Sequence, residues 1–253
     1  MCHPDTGNGN GSIPSTAARE RRFDVETAGT SLPVFEAAPD GRSRGNVLIV
    51  HDVYGANDNY HNLARRFASA GYTAYLPDLF VRQGPLPEQT REAAFARREK
   101  WSTAQAVDDV KRAVDEIQRV STGKVGTVGF CMGGTMVMLL AVREPRIACG
   151  AIYYGFPANR TEDRGETFFP MEEVSRVQQP LLGFWGDQDH GVGMDNVEQY
   201  RQQLAAAGKT FDFTIYPGPG HGFLTFDASS PNYAASQDSY QKMLAFYGDY
   251  LAG

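Results

Sequence analysis

Apolar and polar residues follow two rhythms along most of the chain. Short runs rich in β-branched and aromatic residues fall at Val47–His51, Tyr72–Leu76, Lys124–Phe130, Ile147–Tyr154, Leu181–Trp185 and Phe211–Tyr216. Several are apolar nearly throughout, the pattern of parallel strands covered on both faces. An earlier pair, Arg22–Glu26 and Leu32–Ala37, is separated by a glycine-containing turn and predicts an edge hairpin. Between the runs the period lengthens. Ala104, Val107, Val110, Val114 and Ile117 step by three and four, which makes one helical stripe. Met194, Val197, Tyr200 and Leu204 repeat the pattern before Gly208, and Leu63, Phe67 and Ala70 do so before Gly71, with glycine where a helix ends. Alternating units of this kind predict an α/β domain, an open and mostly parallel sheet with helices on both faces. In such sheets ligands sit at the carboxyl ends of the strands.

Composition narrows the setting. The chain has 253 residues, of which 42% are hydrophobic and 21% charged, enough for one substantial core. The segment 1–22 is rich in Gly, Asn, Ser and Pro and reads as a flexible tail, leaving 23–253 as a single domain. A net charge of −6 gives no general electrostatic reason to expect nucleic acid as a partner. No apolar run reaches the ~18 residues of a membrane span, and the tail lacks a signal-peptide core. The cysteines are Cys2, Cys131 and Cys149, neither a disulfide framework nor a zinc motif, and a reducing cytoplasm is the expected compartment. Cys2-His3 lacks further ligands for a metal site.

One strand–helix junction carries chemistry. Lys124-Val-Gly-Thr-Val-Gly-Phe-Cys-Met-Gly-Gly-Thr runs from a β-branched strand through a glycine-rich turn into the apolar segment Met136–Val142. Gly129-Phe-Cys131-Met-Gly133 is G-x-S-x-G with cysteine at the centre. Such a turn lifts the central side chain above the sheet beside a helix N-terminus, where a thiolate is favoured. Cys131 is the candidate nucleophile, and the Met132 N–H faces the developing oxyanion. Cys149, inside an apolar run, is expected in the core.

The partners of such a nucleophile follow it in the order acid, then histidine. His51 and His61 precede Cys131, and His3 lies in the tail. His221 sits in the Gly/Pro-rich loop after the last β-run and is the candidate base. The loop Trp185-Gly-Asp187-Gln-Asp189-His190 offers two carboxylates. Asp187 can cap the turn next to the strand, whereas spacing favours Asp189 as the group that orients the imidazole.

With these pieces in place the chain resembles the dienelactone hydrolase family (carboxymethylenebutenolidases) of α/β-hydrolases, from about Phe23 onward. The matching segments are His51-Asp-Val-Tyr-Gly55, Pro77-Asp-Leu-Phe80, Gly129-Phe-Cys-Met-Gly-Gly134, Tyr153-Tyr-Gly155, Gly186-Asp-Gln-Asp-His190 and Gly220-His-Gly-Phe223. The resemblance places the triad acid at Asp189 and implies an acyl-cysteine intermediate formed without metal or organic cofactor. It implies that Asp52, where the family usually carries Glu, bears on the resting thiol, and the loop it belongs to makes Val53 N–H the second oxyanion donor. It also implies a substrate carboxylate held by arginines. Arg82 fits the first of these, while Leu224-Thr225-Phe226 has none at the second.

A thiolate suits activated acyl donors such as enol-lactones and aryl esters, so a small ester or lactone is the expected substrate. Alternatives are a broader carboxylesterase or thioesterase without preference for anionic lactones, and a hydrolase fold that binds without turnover. The segments 81–101 and 156–179 are expected to wall the pocket, with Phe95, Trp101, Phe168 and Phe169 among their aromatic residues.

Overall fold

A computed structural model describes residues 19–252. Cys2 and His3 lie outside the described residues. The first strand, β1 (Arg19–Thr27), includes Arg19–Arg22, which the sequence pattern assigns to the tail. All four are exposed in the edge strand, where polar side chains are compatible with pairing. Arg19↔Ala38 begins the register with β2 (Thr30–Ala38).

The remaining strands are β3 (Asn46–Val50), β4 (Thr73–Pro77), β5 (Val125–Phe130), β6 (Ile147–Tyr153), a two-stranded hairpin β7 (Thr161–Asp163) and β8 (Glu166–Phe168), β9 (Leu181–Gly186) and β10 (Phe211–Tyr216). The helices are α1 (Asp58–Ser69), α2 (Arg91–Arg98), α3 (Thr103–Val120), α4 (Met132–Arg143), the single turn α5 (Pro170–Glu173), α6 (Met194–Ala206) and α7 (Tyr233–Leu251). Eight strands form one sheet in the order β1-β2-β4-β3-β5-β6-β9-β10. The β1–β2 and β2–β4 pairs are antiparallel; the rest are parallel. The carboxyl ends of β3, β4, β5, β6, β9 and β10 therefore open on one side, which gathers the candidate residues at one rim.

Helices cover both faces. A side chain on Gly126 of β5 would strike Tyr247 and Leu251 of α7, whereas one on Gly129, of opposite parity, would strike the start of α4. α1 joins α7 on the first face, with Phe67 against the rings of Tyr240 and Tyr247; α3 lies beside α4. From Met132 to Val142 every residue of α4 is buried, which explains why this helix shows no amphipathic period.

The stripes expected in α1, α3 and α6 are buried except at one end of each, where Ala70, Ala104 and Met194 are only half-buried. α7 was not among those expectations. Its core contacts, Tyr240, Met243, Tyr247 and Leu251, form a stripe diluted by other aromatic residues around the helix. Met243 is fully buried. Met243→Ala should lower unfolding free energy by about 2–5 kcal/mol, read as a reduced urea midpoint at unchanged slope.

Candidate active site

The turn after β5 is built on backbone contact. A Cβ on Gly129 would lie 2.0 Å from the Gly133 carbonyl oxygen, and one on Gly133 would lie 2.2 Å from that of Val50. Only hydrogen fits at either place, so α4 starts directly against β3 and β5. Cys131, between them, has φ 57° and ψ −117°, a conformation costly for a residue with a side chain. Its N–H donates to Tyr153 O at 3.0 Å, and its carbonyl accepts from Thr135 N–H at 3.1 Å, which holds the turn from both sides. Met132 is the first residue of α4, so its N–H has no carbonyl one turn back to bond.

Across the rim, Asp189 and His221 meet. Asp189 Oδ2 lies 2.6 Å from His221 Nδ1, and Oδ1 accepts from Val192 N–H at 3.1 Å. The acid is 2% exposed, so this charge-assisted bond works in a low dielectric. Asp187 does not cap its own turn but reaches across to the histidine loop. It is exposed and accepts from Gly218 N–H at 2.8 Å, and that bond holds its carboxyl below the usual range. The Asp187 bond braces the histidine loop against the acid loop. So does Gly186, where a Cβ would lie 2.1 Å from Pro219 O. The imidazole itself rests on aromatic rings, with Tyr154 at 5.0 Å and Phe156 at 5.3 Å between centroids.

The loop after β3 is fixed by His51, which is buried at the strand's end. Leu79 N–H can only donate, so His51 Nε2 accepts from it at 3.1 Å and the ring proton sits on Nδ1. Nδ1 donates to Asp52 O at 2.8 Å. Burial pushes the His51 pKa down, in keeping with the neutral ring this arrangement requires. Because the peptide is planar and trans, fixing Asp52 C=O aims Val53 N–H the opposite way. The Asp52 carboxylate is fully buried, and its Oδ1 accepts from Tyr54 N–H at 2.9 Å.

Val53, Cys131 and Met132 line one cavity of about 250 Å³. Its apolar wall includes Phe95, Trp101, Met136, Leu139 and Phe156; Thr103, Thr135, Asn159, Thr161 and Arg98 supply polarity. Segments 81–101 and 156–179 thus both contribute, as expected. Phe168 does not, being buried under the Arg143 guanidinium.

Arg82 is not at this cavity. Nη1 and Nη2 donate to Asp109 at 2.5 and 3.0 Å, and Nη2 also reaches Thr27 Oγ1 at 2.8 Å. A bidentate carboxylate on α3 has taken up the guanidinium, so the expectation that Arg82 holds a substrate carboxylate is corrected. Arg98, on α2, is the basic residue that lines the cavity, and no described carboxylate pairs with it. The only hint in the sequence was its place between Phe95 and Trp101. Cys149 is buried in the core, where burial pushes its thiol pKa up and keeps it protonated.

The mostly parallel sheet, with Cys131 at a strand–turn–helix junction beside a rim cavity and the Asp189–His221 pair on later loops, is that of an α/β-hydrolase. The dienelactone hydrolase family model matches residues 32–251, and the chain belongs to that family. A carboxymethylenebutenolidase of Rhodococcus opacus is 30% identical over 99% of this chain and 98% of its own length. A Klebsiella pneumoniae crystal structure, provisionally described as a dienelactone hydrolase, superposes with a TM-score of 0.85 at 26% identity. The match covers 93% of this chain and all of that one. The protein is a hydrolase of the dienelactone hydrolase type. No helix among the described residues is long and apolar enough to cross a membrane.

Replacing Arg82 should reveal a structural role. Arg82→Met strands the Asp109 carboxylate, whose side chain is 3% exposed, and should cost about 3 kcal/mol of stability in denaturant titration. KM for an anionic ester should stay at the wild-type value in the same preparation.

Proposed function

We propose that the protein hydrolyses small activated esters or lactones through an acyl-cysteine intermediate formed at Cys131. The observation that carries this reading is the 2.6 Å Asp189–His221 bond at the rim where Cys131 sits in its positive-φ turn. Asp189 as acceptor keeps the imidazole proton on Nδ1, which leaves the Nε2 lone pair to take the thiol proton. The thiolate attacks the carbonyl carbon, and the oxygen that gains charge is met by Met132 and Val53 N–H groups. Collapse expels the leaving oxygen as an enolate or aryl oxide, which departs readily and then takes the proton from the His221 imidazolium, so the neutral ring is restored. His221 then activates water, which attacks the thioester and returns Cys131. Asp52, buried in the oxyanion loop, is the carboxylate that steers the resting thiol.

Arg98 and the aromatic wall define the substrate class. A carboxylate on the substrate pairs with the guanidinium while its unsaturated body lies against Phe95, Trp101 and Phe156. A broader esterase reading draws on the same wall, since the second family arginine is absent and Arg82 is committed to Asp109.

Two experiments test these assignments. Cys131→Ala should abolish turnover of an aryl ester, and acid-quenched wild type should carry the acyl mass on Cys131; full activity in the variant would sink the mechanism. Arg98→Gln should raise KM about tenfold for a carboxylate-bearing ester and leave a neutral aryl ester unaffected. Equal effects on both would favour the broader esterase.

A further inference from the structure

Arg97 has no place in the chemistry so far, yet it is buried directly behind it. The residue is 9% exposed, and among the described residues no carboxylate pairs with it. Its guanidinium lies 4.0 Å over the Phe80 ring. Nη2 donates to Val53 O at 3.0 Å and Nη1 to Gly84 O at 3.3 Å, while Nε is buried without a partner. Burying an arginine on carbonyls alone is expensive, and an aliphatic side chain would fill the same space without that cost. The charge therefore calls for a directional explanation. Asp52 and Asp78 attract it from further away, against the desolvation that pulls its pKa down.

The carbonyl it holds supplies that explanation. Val53 O and Val53 N are three covalent bonds apart, on the two peptides that flank the Val53 Cα. The preceding peptide is fixed through Asp52 O by His51, and the following one through Val53 O by Arg97. With both planes pinned, the direction of Val53 N–H is set. Gly55, at φ 84°, completes the fit, because a Cβ there would lie 3.0 Å from Arg97 Nη2. The loop is thus shaped around the guanidinium.

We infer that Arg97 is a positioning residue for the oxyanion site, acting from α2 through the Val53 carbonyl to hold Val53 N–H on the reacting oxygen. The inference rests on the acyl-cysteine reading, with Val53 as oxyanion donor. Its neighbour Arg98 faces the cavity, so adjacent residues of α2 serve the loop and the substrate separately.

The test compares two reactions at one thiol. Acyl transfer from a neutral aryl ester develops an oxyanion; alkylation of Cys131 by iodoacetamide, a displacement at a saturated carbon, does not. In Arg97→Met, kcat for the ester should fall about 10–100-fold with KM within about twofold of wild type. The alkylation rate of Cys131 should remain within about twofold of wild type. Arg97→Lys keeps the charge but can reach fewer carbonyls, so its kcat should lie between the two. It also carries the test should the methionine variant fail to fold. An unchanged kcat with only a lowered Tm would overturn the inference, as would a parallel loss of ester turnover and alkylation. An active Cys131→Ala enzyme would instead overturn the acyl-cysteine reading, so the two failures are separable.

Discussion

Everything at the rim depends on how closely the start of α4 approaches the sheet. Two backbone contacts, Gly129 on Gly133 and Gly133 on Val50, leave no room for a Cβ between helix and strands. That proximity forces the residue between them into positive φ and places its side chain above the sheet. Because β3 and β5 are paired up to Val50↔Gly129, Val53 and Met132 then line one cavity with Cys131. A wider separation would relax the turn and disperse the three groups. The strain at Cys131 is held by two backbone hydrogen bonds and by a helix buried along its first eleven residues.

The second half of the site is organised differently. Asp189 and His221 come from loops that are tied to each other by Asp187 and Pro219. The composition of those loops follows from this. Gly186 must admit the Pro219 carbonyl, and Asp187 must accept from Gly218 N–H, so two glycines and an aspartate are spent on bracing. His51 plays the same kind of part for the loop after β3, as a neutral ring that uses both nitrogens on backbone.

Much of this could be read from the chain because it depends on local pattern. Strand runs apolar throughout, stripes at three and four, and glycines at fixed offsets each leave a signature, and the six sheet strands after the hairpin lie within a residue of expectation at most ends. The Asp187–Asp189 choice was partly legible, since spacing favoured Asp189 to reach the imidazole, but the bond of Asp187 to Gly218 on a loop 31 residues away was not. Arg82 was not, because its fate depends on Asp109, 27 residues away on another element. Arg97 and Arg98 look alike in sequence, within Ala-Arg-Arg-Glu, and only the roll of α2 separates them. α7 escaped notice because aromatic residues surround its buried stripe and blur the period.

The order of strands across the sheet has a consequence for the imidazole. Reading from β5, the sheet passes through β6 and β9 before it reaches β10. With strands about 4.8 Å apart, His221 follows a strand about 14 Å from the one that carries Cys131. The loop after β10 must therefore lean back across its neighbours like a cantilever. Tyr154 and Phe156, which follow β6, stand beneath the imidazole as its piers. Two aromatic rings on the neighbouring loop thus set how far the imidazole reaches back over the sheet.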